Sequence, residues 1–154
     1  MSHTKSVSVP VQLSSYLTVR DAAAAIDFYV TVFGATEAFR LVEPGSGKIG
    51  HAELTLGGSI LMLSDEYPDF GALAPESVGG SPVKLHLYVE NVEATFSAAL
   101  KAGAVELRPV KDQFFGDRSG MIEDPFGHCW FIASKVETIS PSEMQRRWAD
   151  EASG

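Results

Sequence analysis

Two histidines and a glutamate, His51, Glu53 and His86, are the side chains of this chain whose types could grip a divalent cation. Two imidazoles and one carboxylate form a recognised ligand set. The same Glu53 could serve as a general base. Equally, His51 and Glu53 could hydrogen-bond each other at a pocket rim. A second set is aromatic or soft: Tyr16, Met62, Tyr88, Phe114, Phe115 and Phe131. Rings of this kind stack on planar ligands. Lys84 and Arg118 could set a charge preference, Arg118 either by gripping an anion or by pairing with Asp117 or Glu123. Ser14 adds a hydroxyl. Cys129, the single thiol, is expected to be a small core residue. His128 follows a turn glycine and is expected to be exposed. His3 lies in the N-terminal stretch 1–10, which reads as a frayed, solvated tail without a signal-peptide core.

Positioning these residues is the work of an internal repeat. Leu17-Thr18-Val19-Arg20-Asp21 is echoed about 70 residues on by Leu87-Tyr88-Val89-Glu90-Asn91. Gly34-Ala35 is echoed by Gly103-Ala104. Gly58-Ser59-Ile60-Leu61-Met62-Leu63 is echoed by Gly127-His128-Cys129-Trp130-Phe131-Ile132. Each copy reads as strand, helix, then three strands. Asp21 and Asn91 are N-caps. Ile26, Tyr29, Val30 and Phe33 form the first helix's apolar stripe, and Val92, Phe96, Ala99 and Leu100 the second's. Further strands are expected at 35–41, 49–56 and 59–64, then at 105–111, 118–123 and 129–133. Gly57-Gly58 and Asp124-Pro125-Phe126-Gly127 are turns. Module one therefore spans about 12–66, a linker 67–82, module two 83–135. Ser140-Pro141-Ser142-Glu143 is a capping box that opens a C-terminal helix at about 140–152, packed peripherally or on a second subunit.

Strand alternation then sorts the faces. Leu17, Val19, Ala52, Leu54, Leu61, Leu63, Leu85, Leu87, Val89, Trp130 and Ile132 point toward the helices. Ser14, Tyr16, His51, Glu53, Met62, Lys84, His86, Tyr88 and Phe131 point the other way. The predicted fold class is α+β: two tandem βαβββ modules forming a curved mixed sheet with a ligand funnel. Tyr16, Met62, Tyr88 and Phe131 together would be a costly apolar patch in water, so the face calls for a ligand or a second subunit.

Bulk properties narrow the partners. At 154 residues and 45% hydrophobic content the chain suits one soluble domain. A net charge of −8 repels phosphate backbones, which argues against nucleic acid. No apolar run is long enough to span a membrane. One cysteine forbids an intrachain disulfide and fits a reducing compartment, so a cytoplasmic location is expected.

The two βαβββ copies, Phe28-Tyr29 with Phe33-Gly34, Gly116-Asp117-Arg118 and Asp124-Pro125-Phe126-Gly127-His128-Cys129-Trp130 together resemble the vicinal oxygen chelate superfamily of glyoxalases, bleomycin-resistance proteins and dioxygenases, its PhnB-like branch above all. The resemblance covers 14–133, with a similar tail at 140–147. It implies metal ligands at four places, which here carry Ser14, Met62, Lys84 and Phe131. These are a hydroxyl, a thioether, an ammonium and a phenyl ring, so no metal cofactor is expected at the usual positions. The resemblance leaves three expectations open. The first is metal-independent binding of a small aromatic or amphipathic molecule. The second is a divalent-metal-dependent lyase or dioxygenase using His51, Glu53 and His86, with Glu53 as base. The third is a structural dimerisation module. It also implies a homodimer whose pockets draw on both subunits.

Overall fold

Each module wraps one helix against four strands. In the computed structural model, which describes residues 6–153, the chain runs β1 (Ser15–Val19), α1 (Ala22–Phe33), β2 (Thr36–Val42), β3 (Ile49–Leu56) and β4 (Ser59–Asp65). The second module repeats the order with β5 (Lys84–Tyr88), α3 (Val92–Lys101), β6 (Val105–Asp112), β7 (Asp117–Glu123) and β8 (Cys129–Lys135). Between them lie a 3-10 turn (Pro68–Phe70) and the short helix α2 (Pro75–Val78). The expected linker is thus partly structured. A terminal helix, α4 (Pro141–Ser153), closes the chain. His3 lies outside the described residues.

Local chemistry sets the helix ends. The Asp21 carboxylate accepts from the Ala24 N–H at 3.1 Å, and the Asn91 amide oxygen from the Ala94 N–H at 3.0 Å. Gly34, at φ 78, ends α1 in the left-handed conformation that costs other residues most. Along α1 the buried residues are Ala22, Ala25, Ile26, Phe28, Tyr29 and Phe33. Val30, expected on the apolar stripe, is exposed instead. The stripe is rotated toward Phe28, which meets Phe126 of the second module edge-on at 6.1 Å.

Hydrogen bonding gives both modules the same sheet order, β1-β4-β3-β2 and β5-β8-β7-β6. The first strand of each is parallel to the last. The ladder does not cross between modules, so the curved surface is two four-stranded mixed sheets. Side chains join them. Tyr29 Oη of α1 donates to Asp124 at 2.6 Å, and His128 Nε2 donates to the Thr18 carbonyl at 3.0 Å. One apolar cluster, from Leu17 and Tyr29 to Trp130 and Ile132, runs through both. At roughly 2 kcal/mol per fully buried large side chain, this shared core dominates the stability. No helix among the described residues is long and apolar enough to cross a membrane.

Candidate functional site

Away from the helices, each sheet presents one row of side chains across its strands. In module one the row is Tyr16 on β1, Met62 on β4, Glu53 on β3 and Phe39 on β2, fixed by strand register. His51 stands one pleat along, on the same face as Glu53. Tyr16 Oη lies 2.8 Å from His51 Nδ1, and His51 Nε2 lies 2.8 Å from Glu53 Oε2. A carboxylate has only lone pairs to offer. The proton between His51 and Glu53 therefore sits on Nε2, and in the neutral imidazole Nδ1 then accepts from the Tyr16 hydroxyl. Glu53 so fixes the His51 tautomer, and Tyr16 keeps free lone pairs toward solvent or a ligand. Phe39 packs against the His51 ring at 5.7 Å.

Beside this relay opens a cavity of about 700 Å³, walled by Tyr16, Leu41, His51, Tyr67 and Phe70, with Glu43 at its edge. Tyr67 and Phe70 belong to the segment after β4, where a Tyr67–Ala72 bridge folds the chain back over the sheet. Burial, with Glu43 and Asp65 nearby, pushes the Tyr67 hydroxyl upward from its ordinary value.

In module two the equivalent row is His86, Phe131, Met121 and Arg108. Asp117, buried at the start of β7, collects the cations and donors around it. Tyr88 Oη donates to its two oxygens at 2.9 and 3.2 Å, Lys135 Nζ is 3.6 Å away, and His86 Nε2 is 3.9 Å away. Burial first, then the bond to Asp117, raises the Tyr88 hydroxyl above its ordinary value. His86 meets the Tyr88 ring at 4.6 Å and the Phe131 ring at 6.2 Å.

The structure gathers Tyr16, His51, Glu53 and Met62 on one face, and His86, Tyr88 and Phe131 on another. Ser14 is half-buried just ahead of β1, and Lys84 is exposed opposite Cys129. Phe115 lines a small cavity of about 180 Å³ with Phe131, while Phe114 packs edge-on against Phe115 at 5.2 Å. Two expectations are corrected. Arg118 alternates to the opposite side from Asp117 and Ser119, where Glu93 and Asp112 rather than Asp117 or Glu123 neutralise it. His128 is half-buried and bonded to Thr18 rather than exposed. Cys129 is half-buried too, and burial with the nearby Glu123 pushes its thiol upward, away from nucleophilic use. Arg108, Tyr67 and Phe70 escaped the sequence reading, which named Asp117 only as a motif residue and a partner for Arg118.

A divalent ion does not fit the positions where the resembled fold would hold one. Ser14, Met62, Lys84 and Phe131 offer no set of nitrogen and oxygen donors, and the Lys84 ammonium opposes a cation there. The alternative trio is split. His51 and Glu53 touch, whereas His86 lies in module two beside Asp117. Among the described residues no three His, Cys, Asp or Glu side chains converge.

Residues 7–132 match the model of the Glyoxalase/Bleomycin resistance protein/Dioxygenase superfamily. Over 98% of this chain and 90% of the relative, it is 41% identical to the protein Rv0887c of Mycobacterium tuberculosis. Among solved structures, protein PA1353 from Pseudomonas aeruginosa superimposes with TM-score 0.70 at 25% identity, over 83% of this chain and all of that one. The PhnB protein from Bacillus cereus matches in fold with TM-score 0.65 at 19% identity, over 80% of this chain and 99% of its own.

Proposed function

The chain belongs to the Glyoxalase/Bleomycin resistance protein/Dioxygenase superfamily, and from that membership we propose that it binds a small aromatic or amphipathic molecule without a metal ion, as a homodimer. One observation carries the reading: an aromatic-walled cavity of about 700 Å³ opens beside Tyr16 and His51. That volume suits a drug-sized ligand, and its few polar groups suit orientation rather than chemistry. Tyr16 and Phe70 would stack on the ligand, and the Tyr16 oxygen would accept a hydrogen bond from it. Module two adds Tyr88 and Phe131 on its own face.

Titration of chelator-treated protein with 2-naphthol, followed by amide shifts in nitrogen-15 spectra, tests this. Saturable shifts at Tyr16, His51 and Phe70 are expected. Tyr16→Ala should weaken binding about tenfold, the loss of one stacking wall and one acceptor. Added Mn²⁺ or Zn²⁺ should leave the affinity unchanged. Binding that appears only with a divalent ion would overturn the reading.

The His51–Glu53 bond at 2.8 Å favours a second reading, a metal-dependent lyase or dioxygenase in which Glu53 removes a proton from the ligand. That reading requires the metal dependence just described. A dimerisation module with an idle pocket would give no saturable shifts at all.

A further inference from the structure

Five of the six arginines end on carboxylates: Arg20 on Glu66, Arg40 on Glu37, Arg118 on Glu93 and Asp112, Arg146 on Glu143 and Asp150, Arg147 on Glu137 and Glu143. The sixth is Arg108. Among the described residues it has no carboxylate within salt-bridge reach, in a chain whose net charge is −8. With so many acidic partners on offer, a guanidinium left without one has been kept from them by its placement.

That placement comes from β6. Its pairing with β7 slips twice, between Glu106 and Arg108 and again between Arg108 and Lys111. Such irregularities re-aim the side chain between them. Arg108 thereby ends the row His86–Phe131–Met121–Arg108, at the position Phe39 holds in module one. Its guanidinium carbon stands 6.0 Å from the Phe131 ring centroid. With Phe115, Phe131, Gln113, Ser119 and Gly120 it lines the cavity of about 180 Å³. The Gln113 amide already donates to the Ser119 carbonyl at 3.3 Å, which leaves Arg108 as the charged donor of the group.

The geometry points to an anion-receptive subsite in module two, where Arg108 takes the carboxylate of a small aromatic acid and Phe115 and Phe131 take its ring. A guanidinium presents two parallel N–H groups that match the two oxygens of a carboxylate. Arg108 itself is exposed, so solvent screens that pair, and the neighbouring rings add flat apolar contact to a planar ligand. A cavity of this size holds one ring. Inorganic phosphate has the charge but no apolar face to set against the aromatic walls. This subsite is separate from the module one cavity and does not depend on a ligand there.

Nitrogen-15 spectra of the full chain titrated with sodium benzoate, benzamide and inorganic phosphate read the proposal directly. Benzoate should give saturable shifts at Ser119, Gly120 and Phe131. Benzamide, the uncharged shape match, should bind several-fold more weakly, the weight of a solvent-exposed charge pair. Arg108→Gln should bring benzoate down to the benzamide level and leave benzamide unchanged, with the rest of the spectrum in place as the check on folding. Equal binding of benzoate and benzamide, phosphate competing as well as benzoate, or benzoate affinity unaffected in R108Q would each overturn it. Shifts at Tyr16 and His51 with 2-naphthol are read separately, so failure of the module one site leaves this result standing.

Discussion

Asp124 shows what a single side chain can organise. It is buried, and it accepts from Tyr29 Oη at 2.6 Å, Trp130 Nε1 at 2.9 Å, and the Phe126 and His128 N–H groups at 2.9 and 3.0 Å. The first of these bonds joins α1 of one module to the β7–β8 turn of the other. Gly127 closes that turn at φ 91, and a Cβ there would stand 2.7 Å from Pro75 Cβ, so both conformation and space demand glycine. Burial, and then the Asp124 charge, hold the Tyr29 hydroxyl well above its ordinary value. The folded chain therefore keeps that proton at alkaline pH while the unfolded chain loses it from about pH 10 upward. Fewer protons on the unfolded state means stability falls as pH rises through that range. Tyr29→Phe should cost about 1.5–3 kcal/mol at pH 7, the loss of a hydrogen bond to a charged acceptor. That deficit should shrink above about pH 10. Urea unfolding of both proteins from pH 7 to 11 checks this, and a deficit that stays constant would contradict it.

Elements differ in how they are held. α4 buries no side chain, and its attachment is polar. The Ser140 hydroxyl caps it through the Glu143 N–H at 3.1 Å; Arg147 pairs with Glu143 inside the helix at 2.8 Å and ties the helix to Glu137 at 2.5 Å and to the Phe114 carbonyl at 3.0 Å. Arg147→Ala should speed amide exchange along 141–153 by about tenfold or more while the midpoint of global unfolding barely moves. Equal protection in both proteins would refute it. Arg146 and Arg147 hold the Glu143 carboxyl down at about 2, so these pairs within the helix persist through mild acid and are lost only as pH falls toward that value. The capping box was legible because Ser140, Pro141 and Glu143 are local signals. Alternation likewise showed which residues of β1, β3, β4, β5 and β8 share a face, since one pleat rule governs an unbroken ladder. Arg108 was hidden because register shifts on β6 break that rule on both sides of it. Tyr67 and Phe70 were hidden because composition marks 67–82 as a connection and carries no sign that it folds back over a sheet. Val30 was misplaced by a few tens of degrees around α1, an error that only the packing of Phe28 against Phe126 resolves.

At the scale of the whole molecule, the shared core makes one body of the two modules, yet the sheets remain partly bare. Leu41 is 58% exposed, Val42 53% and Phe70 87%, all around the mouth of the cavity beside Tyr16, and Tyr88 is 52% exposed on the other sheet. Apolar area of this kind in water favours a second copy covering it. Each chain carries −8, so two copies repel, and salt screens that repulsion within a Debye length of about 10 Å at 0.1 M. Association should therefore strengthen as salt rises, the opposite of what an interface built on charge pairs would do. Sedimentation velocity should give a species of twice the 16.5 kDa chain mass, increasingly populated between about 0.05 and 0.5 M NaCl. Leu41→Glu, which sets a charge on the bare rim, should return the protein to single chains without loss of helix signal. A species of one chain mass at every salt concentration would mean that the exposed apolar rim serves ligand capture alone.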